Sequence, residues 1–252
     1  MNELEYNELQ SSSFRGRRGY EAIILAGGLG TRLRSVVSDV PKCMAPVAGK
    51  PFLHFVMEHL LKQGVTKFIF SLGYKSEMII DYVNEQYPDL NKQFSIEEEP
   101  LGTGGAIRLA CNMTTEKDVL ILNGDTLFNI DLIKLIATHH HANADCTLAL
   151  KPMQNFDRYG VVELNNDNTI ASFKEKQHYP SGLINGGVYA LHINAFIQEE
   201  LPLKFSFEKN YLEQYFDKRK MCGDIQDVYF IDIGIPEDYQ KAQTDLKIEN
   251  EE

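Results

Sequence analysis

A glycine-rich segment followed by two cations is suited to binding phosphate groups. The segment Gly27-Gly28-Leu29-Gly30-Thr31-Arg32 follows an apolar stretch typical of a β-strand, and Lys42 lies a short distance downstream. Glycines let backbone N–H groups approach an anion without a Cβ in the way. Arginine offers a forked set of donors to phosphate oxygens, whereas lysine is a compact point charge. We therefore predict that Arg32 and Lys42 bind phosphates in a reaction that moves negative charge between phosphoryl groups.

Two familiar phosphate-binding motifs do not fit this segment. A Walker A loop needs the pattern GxxxxGK[ST], and no Lys-Ser or Lys-Thr follows these glycines. A dinucleotide-binding fingerprint needs a glycine three residues after Gly30, where this sequence has Leu33. An NAD-dependent oxidoreductase is accordingly disfavoured, and the bland alternative is a glycine turn with two solvated cations.

Two aspartates could hold a divalent metal ion. Asp125 and Asp232 are far apart in the sequence, yet each follows a short apolar stretch. Open α/β sheets bind ligands beyond the carboxyl ends of their strands, so both carboxylates are expected at that edge. Mg²⁺ prefers few protein carboxylates and keeps phosphate oxygens and water as its other ligands. We predict that both aspartates bind Mg²⁺, with capping of the following helix as the alternative role of Asp125.

The elements that must position these residues form an alternating pattern. From Tyr20 onward, short β-branched runs alternate with stretches of helical periodicity, which is typical of β-α units in a mostly parallel sheet. We predict a Rossmann-like, doubly wound mixed α/β sheet in one domain over 20–252, after a flexible tail over 1–19. The predicted strands cover 22–25, 67–72, 94–97, 119–122, 147–150, 160–164, 169–173, 188–191 and 229–233. The predicted helices cover 51–63, 78–85, 102–112, 130–142, 204–220 and 236–246.

Composition excludes several other classes of protein. The 252 residues include 25 basic and 36 acidic ones, and the net charge of −11 disfavours nucleic acid as a partner. No apolar run approaches the roughly 18 residues of a membrane span, and residues 1–19 lack the apolar region of a signal peptide. Four scattered cysteines form no CxxC pair, so we expect reduced thiols in the cytoplasm. We interpret His139-His140-His141 as a solvated helix end, because consecutive helical residues point in different directions.

Several motifs together resemble those of the sugar-1-phosphate nucleotidyltransferases. They occur in order from Tyr20 to the C-terminus: Leu25-Ala26-Gly27-Gly28-Leu29-Gly30-Thr31-Arg32-Leu33, Pro41-Lys42, Glu99-Pro100-Leu101-Gly102-Thr103-Gly104-Gly105-Ala106, Asn123-Gly124-Asp125-Thr126, Glu175-Lys176, Asn185-Gly186-Gly187 and Asp232-Ile233-Gly234-Ile235-Pro236. The resemblance implies that a sugar-1-phosphate oxygen attacks the α-phosphorus of a nucleoside triphosphate and releases pyrophosphate. It also implies a glycosyltransferase-A-like sheet, with a nucleotide-binding half over 20–145 and a loop-rich, sugar-binding half over 146–252.

Residue roles follow from the resemblance. Arg32 would hold the triphosphate, Lys42 would contact the α-phosphate, and Asp125 and Asp232 would bind Mg²⁺. The nucleotide-binding residues would be Leu25, Gly27, Gly28, Gly30, Thr31, Glu99, Gly102, Thr103 and Gly104. The residues that bind the sugar phosphate would be Asn123, Tyr159, Gly160, Glu175, Lys176, Asn185 and Gly186.

Substrate choice within the family is less closely specified. The motifs resemble in particular those of guanylyltransferases that act on a heptose 1-phosphate. This resemblance implies a product that serves S-layer glycoproteins, capsules or lipopolysaccharide. Cys43 stands where the family usually has a proline. Mannose-1-phosphate guanylyltransferases, thymidylyl- and uridylyltransferases, and a non-catalytic nucleotide-sugar-binding homologue are the alternatives. The expected partners are the nucleoside triphosphate and the sugar 1-phosphate, with a homodimer as a further option and no membrane.

Overall fold

The computed structural model describes residues 19–28, 33, 37 and 39–248. The predicted tail lies outside these residues except for Gly19. The strands are β1 (Tyr20–Leu25), β2 (Pro46–Val47), β3 (Lys50–Pro51), β4 (Val65–Leu72), β5 (Asn91–Ile96), β6 (Asp118–Asn123), β7 (Thr126–Phe128), β8 (Cys146–Phe156), β9 (Val161–Leu164), β10 (Ile170–Lys174), β11 (Tyr179–His192), β12 (Met221–Ile225) and β13 (Phe230–Asp232).

The helices lie mostly between strands, as the alternating pattern predicts. They are α1 (Phe52–Lys62), α2 (Ser76–Gln86), α3 (Gly102–Cys111), α4 (Leu132–Ala142), α5 (Ile193–Ile197), α6 (Glu213–Tyr215) and α7 (Pro236–Ile248). A 3₁₀ turn covers Lys42–Met44, and a π-helical segment, Phe207–Leu212, runs directly into α6. None of the helices in the described part of the chain is long and apolar enough to cross a membrane.

One large mixed sheet organises the molecule. Its order is β10-β9-β11-β6-β1-β4-β5, with β8 paired to β11 and β12 paired to β8. Strands β6, β1, β4 and β5 are parallel, and β11 joins them antiparallel to β6. The carboxyl ends of β1 and β6 are therefore neighbours at one edge of the sheet, where open α/β sheets bind ligands.

Both faces of the sheet are covered by helices. Alternate residues of β1 point to opposite faces. Ile24 accordingly belongs to an apolar core with residues of α1, α2, α4 and α7, whereas Ile23 belongs to a second core with α3, α5 and the π-helical segment. This two-layered burial confirms the predicted doubly wound α/β fold.

Two strands in the second half are much longer than predicted. β8 and β11 pair over most of their lengths, although only 147–150 and 188–191 were expected as strands. Asn185-Gly186-Gly187 suggests a turn, but the structure holds it inside β11 as an irregularity between Asn185 and Tyr189, with Gly187 at φ +74°. Glycine tolerates this left-handed backbone, so β11 continues through a motif typical of loops.

The prediction of one helix over 204–220 is wrong. The chain forms only the π-helical segment and α6 there and returns as the unpredicted strand β12. The sequence does not predict β12, because it contains Asp224 and an acidic residue is unusual in a buried strand. Lys134 Nζ lies 3.1 Å from one oxygen of Asp224, and Gln226 Nε2 donates to the other at 2.6 Å.

The interpretation of the histidine triplet as a solvated helix end is wrong for His139. Its side chain is buried, with Nδ1 3.0 Å from Thr147 Oγ1 and Nε2 3.6 Å from Asp118 Oδ1. His140 Nε2 lies 3.2 Å from the other oxygen of Asp118. Burial raises the pKa of Asp118, but hydrogen bonding to His139 and His140 outweighs this effect and lowers the pKa well below its ordinary value.

Candidate active site

A short antiparallel ladder brings Asp125 and Asp232 together. β7 pairs with β13 so that Thr126 lies opposite Asp232. The N–H of Ile233 donates to the backbone oxygen of Asp125 at 3.2 Å. The first aspartate also adjoins β1, because the N–H of Gly124 donates to the oxygen of Leu25 at 2.8 Å. Two carboxylates that are distant in sequence thus meet beside the end of β1.

Lys42 lies between these two carboxylates. Its Nζ is 2.6 Å from Asp125 Oδ2 and 3.1 Å from Asp232 Oδ1, and the side chain is 12% exposed. Burial lowers the pKa of Lys42, but the charges of Asp125 and Asp232 outweigh it and raise the pKa above its ordinary value. The ammonium has three donors, so two bonds to carboxylates leave one for a phosphate oxygen.

Cys43, beside Lys42, has a packing role and not a nucleophilic one. Its side chain is buried, and burial, followed by the charge of Asp125, raises the pKa of the thiol to about 12. A thiol with this pKa is protonated at neutral pH and is a poor nucleophile. The residue that replaces the usual proline therefore adds no reactive group to the site.

Lys42, Asp125 and Asp232 together form the Lys42 cluster. A pocket of about 630 Å³ opens next to it. This volume is in the range of small-molecule sites. The pocket extends from Asp125 and Asn123 along the end of β1 to the start of α3. Its walls contain Leu25, Gly27, Gly28, Ser71, Gly73, Tyr74, Glu97, Glu98, Pro100, Gly102, Thr103, Ala106, Asn123, Asp125 and Glu208.

Glu97 is fixed in the wall of this pocket. Its Oε2 accepts a hydrogen bond from the N–H of Leu101 at 2.7 Å. A Cβ at Gly27 would come within 2.8 Å of Oε1, so glycine is needed for this close approach. Burial raises the pKa of Glu97, while the bond from Leu101 opposes the rise. One carboxylate oxygen is therefore oriented by a backbone N–H, and the other lies beside Gly27.

The second glycine motif builds the wall by close packing. A Cβ at Gly104 would lie 2.1 Å from the ring of Phe205, so this glycine seats Phe205 against α3. The hydroxyl of Thr103 donates to Glu208 Oε2 at 2.7 Å and accepts from the N–H of Phe207 at 2.9 Å. Gly102 and Thr103 line the pocket, whereas Gly104 does not. The motif consequently shapes the pocket from behind as well as lining it.

The chain matches a known protein family over a range that includes the glycine-rich segment, the paired aspartates and the pocket. The family described as nucleotidyl transferase matches residues 21–249. The chain belongs to this family. It is therefore an enzyme of the nucleotidyl transferase class, and the Lys42 cluster beside the pocket is its candidate active site.

Two curated relatives and one solved structure are similar over nearly the whole length. D-glycero-alpha-D-manno-heptose 1-phosphate guanylyltransferase of Aneurinibacillus thermoaerophilus is 54% identical, covering 90% of this chain and 98% of the relative. The enzyme of the same name from Campylobacter jejuni is 47% identical, covering 87% and 96%. HddC from Yersinia pseudotuberculosis, crystallised with GMP-PN, is 41% identical with a TM-score of 0.81, covering 90% of this chain and 100% of HddC.

Three expected sugar-site residues of this nucleotidyl transferase lie in or near the pocket, Asn123 from the first half and Asn185 and Gly186 from the second. Asn123 lines the pocket, and a Cβ at Gly187 would lie 2.5 Å from Asn123 Nδ2. Asn185 donates from Nδ2 to the hydroxyl of Tyr189 at 2.9 Å and accepts from the N–H of Gly187 at 3.0 Å. Gly186 packs against the ring of Phe128 in β7, the strand that begins directly after Asp125.

The other expected sugar-site residues are arranged around this core. The ring of Tyr159 packs edge-on against Phe230, with 6.0 Å between ring centroids, and Gly160 lies against the backbone oxygen of Lys174. Glu175 and Lys176 are exposed in the connection from β10 to β11. The structure therefore brings Tyr159 close to the Asp232 strand but leaves Glu175 and Lys176 open to solvent.

Some expected nucleotide-binding residues are placed elsewhere or lie outside the description. Glu99 is exposed and does not line the pocket, so Glu97 takes the place in the wall that was expected for Glu99. Glu97 is half-buried, whereas Glu98 is exposed but still lines the pocket and Glu99 is exposed outside it. Arg32, Gly30 and Thr31 lie outside the described residues.

Glu97 and Glu208 are among the pocket residues that were not anticipated from the sequence. Glu97 stands two positions before the motif that was recognised, and its signal is an acidic residue directly after the edge strand β5. Glu208 lies in the segment mistaken for an ordinary helix, and it accepts hydrogen bonds from Thr103 and from Ser206 at 2.7 and 2.8 Å. Only the tertiary contact with Thr103 identifies Glu208 as part of the pocket.

The donor set fits the metal that the family implies. Among the described residues no cluster of three or more potential metal ligands occurs. Asp125 and Asp232 nevertheless offer hard oxygen ligands around one point, and Lys42 neutralises only one of their two charges. Mg²⁺ with phosphate oxygens and water as its remaining ligands suits such a pair of carboxylates.

Proposed function

We propose that the chain catalyses the reaction of GTP with D-glycero-α-D-manno-heptose 1-phosphate to GDP-heptose and pyrophosphate. One observation carries this proposal: two relatives named for this reaction are 54% and 47% identical across about nine-tenths of the chain. The Lys42 cluster beside a nucleotide-sized pocket supports the chemistry. Mannose-1-phosphate guanylyltransferase remains the main alternative.

The base would be read by Glu97. Guanine presents two adjacent donors, N1–H and the N2 amino group, on one edge, and a carboxylate can accept from both. The charged form of Glu97 can serve as this acceptor. The N–H of Leu101 fixes the orientation of the carboxylate through a hydrogen bond to Oε2. No other common nucleobase offers two adjacent donors on that edge. We infer that Glu97 selects GTP.

The phosphates would be aligned by the two cations. A phosphate oxygen of the sugar 1-phosphate forms a bond to the α-phosphorus of GTP, and the bond from that phosphorus to the bridging oxygen of pyrophosphate breaks. Lys42 would direct its remaining donor to the α-phosphate, where charge builds up. Arg32 would bind the departing pyrophosphate. Alignment and charge neutralisation suffice, so the reaction requires no covalent intermediate.

Asp125 and Asp232 would hold Mg²⁺ in the proposed reaction. The metal would supply positive charge for the phosphate oxygens of both substrates. The ladder between β7 and β13 keeps the two carboxylates in register, and Lys42 offsets their mutual repulsion. The protein thus prepares the acidic side of the site before substrates bind.

The sugar would lie over the second half of the domain. Asn123 and Asn185 offer amides for hydroxyl groups, and Tyr159, Gly160 and Gly186 form the adjoining surface. Glu175 and Lys176 are exposed, and we propose that Glu175 binds sugar hydroxyls and Lys176 the sugar phosphate. We propose one domain with a nucleotide-binding half and a sugar-binding half, acting in the cytoplasm on small molecules.

Paired substitutions test this chemistry. We expect Lys42→Met and Asp125→Asn each to lower kcat by roughly 10²- to 10³-fold, as is typical when a group that stabilises transition-state charge is lost. GDP-heptose and pyrophosphate are quantified together, and circular dichroism with thermal unfolding checks the fold. Near-normal turnover in both folded variants would contradict the mechanism.

A further inference from the structure

Arg158 makes two contacts that flank the active-site aspartate Asp232. Its guanidinium forms an ion pair with Asp238, in the first turn of α7. The same guanidinium carbon lies 5.5 Å from the ring centroid of Tyr159. Tyr159 packs in turn on Phe230, which precedes Asp232 by two residues in β13. Arg158 therefore holds the chain both before and after Asp232.

The helix that Arg158 grips also holds the loop after Lys42. The hydroxyl of Tyr239 in α7 donates to the backbone oxygen of Pro46 at 2.6 Å, and Gln243 Nε2 donates to the same oxygen at 2.7 Å. The N–H of Ala48 donates back to Gln243 Oε1 at 2.9 Å. A shift of α7 would consequently move the Lys42 loop together with Asp232.

The Arg158 pair is partly shielded from solvent, which allows it to matter energetically. Its side chains are 32% and 28% exposed, so bulk water screens the pair less than a fully exposed one. Burial lowers the pKa of Arg158, but hydrogen bonding to Asp238, and to a smaller extent the charge of Asp232, raise it on balance. The guanidinium is thus electrostatically coupled to both aspartates.

We propose that Arg158 is a positioning residue that couples the sugar-binding surface at Tyr159 to Asp232 and, through α7, to Lys42. This inference rests on the proposed function, because it assigns Tyr159 to the sugar site. Arg158 does not act on the reacting atoms. It aligns the second half of the domain with the acidic side of the site, so that a bound sugar phosphate meets a correctly placed reaction centre.

A double-mutant cycle on the full-length chain tests the inference. Arg158→Met, Asp238→Asn and the double variant are compared with Arg219→Met, which removes another partly exposed arginine–carboxylate pair, formed with Glu199 away from the pocket. We expect Arg158→Met to lower kcat/KM for the sugar phosphate about tenfold, with KM for GTP within twofold. Because contacting residues couple, the double variant should lose little more than Arg158→Met alone.

The outcomes separate a positioning role from a structural one. Arg158→Lys keeps the charge and should recover part of kcat/KM for the sugar phosphate, although it lacks the planar fork. A loss equal to that of Arg219→Met, or an equal rise in KM for both substrates, would overturn the inference. Should Arg158→Met fail to fold, the nearly isosteric Asp238→Asn carries the same test. The cycle uses whichever substrate pair the wild type accepts, so failure of the heptose assignment is seen separately in the wild type.

Discussion

Replacing Glu97 with glutamine gives a sharp test of how the base is selected. The N–H of Leu101 donates to Oε2 at 2.7 Å, and this donor would require the amide oxygen of the substituted side chain to occupy the same place. The amide nitrogen would then take the position of Oε1, beside Gly27. Glu97→Gln would therefore present donors, where the native carboxylate presents an acceptor, to the N1–H and N2 amino group of guanine.

The size of this effect follows from the bonds lost. Hydrogen bonds to a charged group are worth roughly 1.5–3 kcal/mol, and unpaired donors add a desolvation cost. A total of about 2–4 kcal/mol corresponds to a fall in kcat/KM for GTP of about 30- to 1,000-fold, since about 1.4 kcal/mol is tenfold. ITP lacks the N2 amino group, so the wild type should prefer GTP to ITP by at least about tenfold.

The assay compares kcat/KM for GTP and ITP in wild type, Glu97→Gln and Glu99→Gln. Glu99 is exposed and outside the pocket lining, which makes its amide variant the matched control. We expect the GTP to ITP ratio to collapse toward one in Glu97→Gln and to stay native in Glu99→Gln. A native ratio in Glu97→Gln, or a collapse in the control alone, would refute the assignment of Glu97.

Three further predictions concern pH and packing. Burial raises the pKa of Glu97, so on acidification this side chain should become protonated at a higher pH than an ordinary glutamate. We therefore expect KM for GTP to rise as pH falls through that pKa. A pH profile of KM that is equally steep in Glu97→Gln would contradict this prediction. Gly104→Ala forces a methyl into the ring of Phe205 and should cost about 1–3 kcal/mol of unfolding free energy in urea titrations, whereas Gly28→Ala, which meets no atom within 4 Å, should cost far less. Asp118 has a lowered pKa in the folded state, so its contribution to stability is present above its ordinary pKa of 3.8 and is lost as pH falls below that value. The difference in unfolding free energy between wild type and Asp118→Asn should therefore shrink in acid. A difference that is unchanged in acid would count against the His139–Asp118 interaction.

The parallel half of the fold could be predicted because its local signals agree. Buried strands such as Val119–Leu122 are continuous apolar runs, and α1 shows helical spacing that ends near Gly64. The long antiparallel pair in the second half could not be predicted to its full length. Its strands contain Asn185-Gly186-Gly187, and only pairing with a neighbouring strand keeps such a sequence extended.

The candidate site likewise contains residues that could be predicted from the sequence and residues that could not. Lys42, Asp125 and Asp232 lie in motifs whose charged side chains suit phosphate or metal binding. The structure places Lys42 within hydrogen-bonding distance of both aspartates. Glu208 and Arg158 carry no such local signal, because their importance arises from contacts with Thr103 and Asp238 far away in the sequence. Long-range packing decides those roles, and a single sequence does not encode its own contacts in any local pattern.

The most direct test of the account is pyrophosphate release with Mg²⁺ across a grid of substrates. GTP, CTP, UTP and dTTP are each combined with the 1-phosphates of D-glycero-α-D-manno-heptose, mannose and glucose. We predict release that is confined to GTP, or strongly favours it, with the α-anomeric heptose phosphate giving the highest kcat/KM. Equal or faster release with another base or sugar would contradict the substrate assignment, and no release from any pair would contradict the catalytic role of the site.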